Sequence, residues 1–343
     1  MRSSKRPDFF IVGAPKCGTT ALCHYLAKHP DVFVAKRETE FFGADLHFGP
    51  QFQLYRRHPE EYFALFDGWD KQARGGEKSV WYLFSKTAAA EIKAFNPEAR
   101  IIIMLREPTA MLYALYHVFL ADGNEYLPTF KEALAAEDDR RAGRRLSRQT
   151  YLAQVLVYRE TVRFYEQVKR YFDVFGRERV HVIIYDDFST QTAEVFRKTL
   201  EFLGVDPGGS TSKFEVIGGN VNGNESVRSS ALRAFLNDRM LRQAAIDLRN
   251  WLPYGVFTAM RNTWVKLNEL NYRESPTKRR PMDPELKLSL LREFAPEVER
   301  LSELLGRDLT HWSLPDGFSQ LQRGSSAVDT RKGALNDTSL EAV

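Results

Sequence analysis

The chain has 343 residues, 43% hydrophobic and 27% charged, a globular composition that excludes collagen-like, low-complexity and wholly disordered chains. A net charge of +4 is too small to argue for a nucleic-acid partner, and it suits a small anionic ligand. Cys17 and Cys23, the only cysteines, form neither a disulfide framework nor a zinc site, and two reduced thiols fit a cytoplasmic protein.

Phe9–Gly13 reads as a buried strand that runs into a glycine-bearing loop, with a helix over Thr19–Lys28. The apolar run is too short for a signal-peptide core, and no stretch of about 18 apolar residues predicts a membrane anchor. Asp31–Val34 reads as a short strand. Ala35–Gly76 is aromatic-rich and irregular, with only Pro59–Phe66 helical in pattern. Arg100–Met104 (RIIIM) has the continuous apolar, β-branched character of a parallel strand covered on both faces. A helix follows Pro108, which suits a first turn. Gln149–Phe175 reads as one long amphipathic helix and Val180–Tyr185 as a buried strand. Ser189–Leu203 reads as a capped helix stopped by Gly204.

This alternation predicts an α/β fold, a doubly wound parallel sheet flanked by helices. Gly208–Arg228 is a loop rich in glycine, serine and asparagine, and helices at Ser229–Leu252, Gly255–Leu270 and Asp283–Leu305 give a helical C-terminal part. Beyond Ser313 the sequence is polar and aperiodic. The expected organisation is a single domain over 1–312 with a disordered tail over 313–343.

The chemistry starts at Gly13-Ala14-Pro15-Lys16-Cys17-Gly18-Thr19-Thr20, between a strand and a helix. Successive backbone N–H groups and a helix N-terminus in that context cradle phosphate. Against the nucleotide-triphosphatase pattern GxxxxGK[ST], the glycines keep their spacing but Thr19 follows the second one, and the lysine has moved into the loop as Lys16. Such a loop suits a ligand with one phosphate near the sugar and a reactive group beyond it.

PKCGTTAL resembles the 5′-phosphosulfate loop of the sulfotransferases that use PAPS (3′-phosphoadenosine 5′-phosphosulfate), in their carbohydrate-modifying and bacterial branches. Further blocks match in order. Arg37–Phe42 resembles KExxFF, Gly75–Tyr82 resembles GEKSPxY, and Ile102–Pro108 resembles a strand ending in LRxP. Phe175–Val180 with Tyr185–Phe188 resembles FGxERVxVxxYEDF. Arg279–Met282 and Leu304–Trp312 complete a match running from Phe9 to Trp312.

The resemblance implies a P-loop-like fold and transfer of a sulfuryl group from PAPS, released as PAP, to a hydroxyl or amine of a small-molecule or carbohydrate acceptor. It implies no metal, because Lys16 and the helix N-terminus supply the positive charge. Lys16, Cys17, Gly18, Thr19 and Thr20 would hold the 5′-phosphosulfate, with Lys16 reaching the bridging oxygen. Arg106 would hold the 3′-phosphate. Glu38, the glutamate of KExxFF, would be the general base, with Glu40 two residues on as its competitor. Lys78 would help hold the sulfate.

The family's second 3′-phosphate ligand, a serine, is replaced by Ala114, and Met111 stands where the pattern has arginine. Lys278, Arg279 and Arg280 would compensate, or form a solvated basic face. Val80 replaces the proline of GEKSPxY. The run Arg140-Arg141-Ala142-Gly143-Arg144-Arg145 either draws an anionic acceptor or is a salt-bridged helix end. Two other functions fit the loop alone. One is an ATP-dependent P-loop kinase or NTPase with Asp186 or Asp187 on magnesium. The other is a catalytically inactive PAPS- or PAP-binding homologue.

Overall fold

The computed structural model describes residues 6–49, 59–147, 149–207, 225–227, 272–274 and 281–313, with isolated positions between 256 and 270. The predicted helices at Ser229–Leu252 and Gly255–Leu270, most of the Gly208–Arg228 loop, the Lys278–Arg280 run and the tail from residue 314 lie wholly or largely outside the described residues. The chain divides into two compact units, 1–281 and 282–343.

Five parallel strands make the central sheet of the first unit: β1 (Phe9–Gly13), β2 (Val32–Val34), β3 (Arg74–Lys78), β4 (Arg100–Leu105) and β5 (Val180–Ile184), in the order β2-β3-β1-β4-β5. Apolar runs make the inner strands. All five residues of β1 are buried, as are Ile101–Leu105 of β4, as expected where helices cover both faces. In register, β1 sets Phe10 beside Glu77 and Ile11 beside Lys78, and β4 sets Leu105 beside Ile184. The chain leaves β1 toward β2 on one side and later crosses to β4 on the other, so the order reverses beside β1. Parallel strands end on one edge, so the carboxyl ends of β1, β3, β4 and β5 converge there, where such sheets bind ligands.

The helices that position this edge are α1 (Thr19–Ala27), α2 (Pro59–Ala64), α3 (Ala88–Phe95) and α4 (Pro108–Asp122). Pro108 opens α4, and Glu107 caps it by accepting from the Thr109 and Ala110 amides at 2.6 and 2.7 Å. Then come α5 (Phe130–Ala135), α6 (Glu137–Arg141), α7 (Tyr158–Thr161), α8 (Phe164–Phe175), α9 (Tyr185–Thr190) and α10 (Thr192–Leu203). In the second unit, α11 (Pro284–Leu305) is capped by Asp283, which accepts from the Leu286 amide at 2.8 Å. It buries Leu290, Leu291, Phe294, Val298 and Leu301 along one stripe.

Three local expectations need correction. The single helix over Gln149–Phe175 is instead a 3-10 turn at Ala153–Leu156, then α7, then α8. Leu152, Val155, Leu156, Val157 and Tyr158 are all buried. A segment enclosed on every side follows its neighbours rather than a helical stripe, and Leu152 bridges to Phe48. The helix expected at Ser189 begins at Tyr185 and breaks at Gln191 (φ −130°, ψ 44°). At the end of the stretch expected to be irregular, and running two residues past it, lies β3, Arg-Gly-Gly-Glu-Lys, which lacks the apolar signature of a buried strand.

Candidate active site

The loop from β1 to α1 is pinned on both sides. The Ala14 amide donates to the Met104 carbonyl at 2.7 Å, the Ser79 amide to Ile11 at 3.0 Å, and the Leu83 amide to Val12 at 2.7 Å. Gly13 has φ +146°, and a Cβ there would lie 2.6 Å from the Val80 carbonyl and 2.8 Å from Leu83 Cβ. Only glycine lets the backbone pass this closely. Gly18, at φ +93°, opens α1, with Thr19 buried and Thr20 half-buried behind it. Lys16 holds a left-handed backbone (φ 61°), a conformation that non-glycine residues keep only where the surroundings enforce it.

Arg106 sits one residue past β4. Its guanidinium lies 4.6 Å from the Tyr185 ring centroid and donates to the Lys16 carbonyl at 3.5 Å. The strand-end arginine therefore reaches the glycine loop. The buried Cys17 thiol donates to the Pro15 carbonyl at 3.3 Å. Burial pushes that thiol up to about 12 even with Arg106 and Lys16 nearby, so it is neutral, and the residue's polar offering to a ligand is its backbone.

Lys78, the last residue of β3, joins two loops. Its Nζ donates to Thr20 Oγ1 at 3.1 Å and stands 2.8 Å from Glu38 Oε1. Burial pulls the Lys78 pKa down, but the Glu38 carboxylate and Cys23 together outweigh it, and the ammonium is held above its usual range. Glu38 also accepts from the Val80 amide at 3.4 Å through its other oxygen, and its side chain keeps a third of its exposure. The structure thus brings Lys16, Cys17, Gly18, Thr19, Thr20, Lys78, Glu38 and Arg106 to one edge of the sheet. Glu40, the competing acid, has a left-handed backbone (φ 46°).

The aromatic pair after Glu38 faces the core. Phe42 packs edge-on against Tyr62, Tyr82 and Phe95, with Phe41 stacked on Tyr62 at 4.2 Å. The aromatic-rich segment therefore begins as an anchor to the core. The arginine run is likewise occupied. Arg140 is buried in a bidentate pair with Glu125 at 2.7 Å, Arg141 pairs with Asp138, and Arg144 and Arg145 pair with Asp139. Among the two expectations for this run, the salt-bridged helix end holds. On α4, Tyr113 donates to the Pro281 carbonyl at 3.4 Å, so the chain just past Arg280 meets the helix that carries Ala114.

Sequence reasoning missed Glu77. It is fully buried. Its Oε1 accepts from Tyr62 at 2.9 Å and from Tyr82 at 3.4 Å, and its Oε2 from Ser79 at 3.1 Å and from Thr39 in a very short contact. Burial pushes its carboxyl up to about 7, with hydrogen bonds from Thr39, Tyr62, Ser79 and Tyr82 pulling the other way. The available signal was a glutamate inside a strand preceded by two glycines, since a carboxylate enclosed by a covered sheet needs hydroxyl or cationic partners.

A parallel sheet with order reversal beside β1, a glycine loop and helix N-terminus at its edge, and cations converging there define a P-loop-like fold. The sulfotransferase domain family model matches residues 6–217, more than half of the chain, and the chain belongs to that family. It is 30% identical to the sulfotransferase from Alicyclobacillus acidocaldarius, whose crystal structure aligns with a TM-score of 0.63 over 90% of this chain and 100% of that one. It is 24% identical over 251 residues to mouse carbohydrate sulfotransferase 15, covering 59% of this chain and 44% of that protein. To human heparan sulfate glucosamine 3-O-sulfotransferase 5 it is 26% identical over 207 residues, 59% of this chain and 54% of that protein. To the membrane-associated sulfotransferase kil1 of Dictyostelium discoideum it is 30% identical over 112 residues, 32% of this chain and 22% of that protein. The chain thus spans about half or less of these three curated relatives. Among the described residues no helix is long and apolar enough to cross a membrane.

Proposed function

We infer that the chain transfers a sulfuryl group from PAPS to a hydroxyl or amine of an acceptor, in line and with a carboxylate base. The observation that carries this reading is the Lys78 bridge. One ammonium touches Thr20 of the phosphate-type loop and Glu38 of the acceptor-side loop, so donor and base are held across a single side chain.

Sulfuryl transfer needs an aligned nucleophile, a group to take its proton, and cations where charge builds on the leaving oxygen. The amides from Cys17 to Thr20, with the two threonine hydroxyls, bind the 5′-phosphosulfate at the helix N-terminus. Lys16 neutralises charge on the bridging oxygen as its bond to sulfur breaks and PAP leaves. The acceptor oxygen or nitrogen forms the new bond to sulfur, and its proton passes to Glu38. The Lys78 ammonium pairs with Glu38, orienting that carboxylate, and lies within reach of the sulfuryl oxygens. Arg106 holds the 3′-phosphate, with its guanidinium already fixed over Tyr185. The Tyr113–Pro281 contact supports a supplementary role for Lys278, Arg279 and Arg280, in place of the serine absent at Ala114. The chain's own cations supply the charge, so the reaction as written uses no metal.

A carbohydrate acceptor is suggested by two relatives, a carbohydrate sulfotransferase and a heparan sulfate glucosamine sulfotransferase. It would not be drawn in by Arg140–Arg145, whose arginines are already paired. A reducing, cytoplasmic setting is favoured by Cys17 and Cys23, both free thiols. The test is transfer from sulfur-35-labelled PAPS to a panel of sugars, amino sugars and phenols. Lys16→Ala should cut turnover by two to four decades, and Glu38→Gln by roughly 10²–10⁴ with PAP affinity nearly unchanged. Near wild-type turnover in Glu38→Gln would remove Glu38 from the mechanism and make Glu40 the next residue to test.

A further inference from the structure

The base loop has no regular secondary structure, yet its four backbone amides from Thr39 to Phe42 are all satisfied by side-chain hydroxyls. The Thr39 and Glu40 amides donate to Ser79 Oγ at 3.0 and 2.9 Å. The Phe41 and Phe42 amides donate to Tyr82 Oη at 2.8 and 3.3 Å. A hydroxyl carries one proton and two lone pairs. With two amides pointing at it, each of these oxygens has both lone pairs engaged, and its own proton must point elsewhere.

Glu77 supplies that direction. Ser79 donates to its Oε2. The Tyr82 hydroxyl contacts Thr39 Oγ1 at 2.7 Å and both Glu77 oxygens at 3.4 Å, while Thr39 donates to Oε2. Tyr62, from α2, donates to Oε1. An ionised carboxylate only accepts, so every hydroxyl proton runs inward. A carboxyl protonated on Oε2 would have to donate to Thr39 or Ser79, which would then turn its own proton against an amide it now accepts. One loop amide would lose its partner.

We propose that Glu77 is a positioning residue whose ionised carboxylate polarises the Thr39–Ser79–Tyr82 hydroxyls and thereby holds the 39–42 backbone, with Glu38 at its leading edge. Glu77 is adjacent in sequence to Lys78, and its partners Thr39 and Ser79 adjoin Glu38 and Lys78, so one buried charge sets the frame of both members of that ion pair. The proposal rests on the reading of Glu38 as the base. Among the described residues, the other titratable groups around Glu77 are Tyr62 of α2, Tyr82, and Tyr171 of α8, and burial raises all three. None of them competes for the proton near neutral pH, where the Glu77 carboxyl itself titrates.

The test is amide hydrogen exchange on the full chain, corrected for intrinsic rates, which needs neither donor nor acceptor. In the wild type, protection at residues 39–42 should fall about tenfold or more from pH 8 to pH 6, while residues 101–105 of β4 stay protected. Glu77→Gln at pH 8 should show the loss already, with no further change at pH 6. Ser79→Ala, a smaller change, should deprotect Thr39 and Glu40 more than Phe41 and Phe42. PAP affinity should stay within threefold in both variants, since the Gly13–Thr20 loop is untouched. Unchanged protection at 39–42 in Glu77→Gln, or equal loss across β4, would overturn the proposal. If the wild type itself ignores PAP, the donor reading fails and the exchange comparison still decides Glu77.

Discussion

Removing the Glu77 charge should change how stability depends on pH, in a calculable direction. The carboxyl moves from its usual 4.5 to about 7 in the fold. Each pH unit of such a displacement corresponds to about 1.4 kcal/mol, so the full effect is about 3 kcal/mol. Between those two values the native state binds more protons than the unfolded chain, so stability falls as pH rises. This contribution is complete below pH 4.5 and is lost above about pH 7. His181 works the other way: burial, with Lys198 adding to it, pushes its imidazole from 6.5 down to about 4. The native state then binds fewer protons between those values, and stability rises with pH there. Both effects act in the wild type, but only one is removed by Glu77→Gln, so the difference between the two proteins isolates it. Urea melts followed by circular dichroism at pH 5, 6, 7 and 8 provide the measurement. Whatever constant cost the lost hydrogen bonds impose, the stability advantage of the wild type over Glu77→Gln should shrink by roughly 2–3 kcal/mol from pH 5 to pH 8. A difference that stays flat within about 0.5 kcal/mol would mean that Glu77 does not titrate in this range, and the reasoning from its burial would be refuted.

Arg106→Ala should weaken PAP binding by a few kcal/mol, since a charged contact is lost; normal binding in a calorimetric titration would make the arginine structural. Ala114→Ser should tighten PAP binding by roughly 0.5–1.5 kcal/mol if a hydroxyl there reaches the 3′-phosphate, and unchanged affinity would locate that phosphate elsewhere. Gly13→Ala should cost roughly 3 kcal/mol or more in a thermal melt, because the new Cβ meets the Val80 carbonyl and Leu83 at a backbone angle that alanine resists.

What could be read from the residues follows from how each element is stabilised. The strands β1, β4 and β5 carry apolar runs whose only sensible place is a covered sheet, and α11 declares itself through Asp283, Pro284 and Gly306. By contrast, β3 is held by its neighbours rather than by its own side chains. Gly76 lies against the Phe9 ring and Glu77 is satisfied by hydroxyls 38, 15 and 5 residues away in sequence. No local pattern records such partners. The break between α7 and α8 has the same origin, since Val157 and Val162 are buried in surroundings supplied by other parts of the chain. At the site, the loop residues from Lys16 to Thr20 were legible because glycine spacing and a helix start are local. The Lys78 link to both Thr20 and Glu38 spans 58 and 40 positions and emerges only from the register of β1 with β3.

The central claim is that the Gly13–Thr20 loop and Arg106 bind a 3′,5′-bisphosphorylated adenosine rather than a nucleoside triphosphate. Calorimetric titration of the full chain with PAP, and separately with ATP and magnesium, tests it most directly. The account predicts a micromolar or tighter Kd for PAP, about −8 kcal/mol or better, and binding of ATP with magnesium at least a hundredfold weaker. Equal affinity for the two ligands would contradict it.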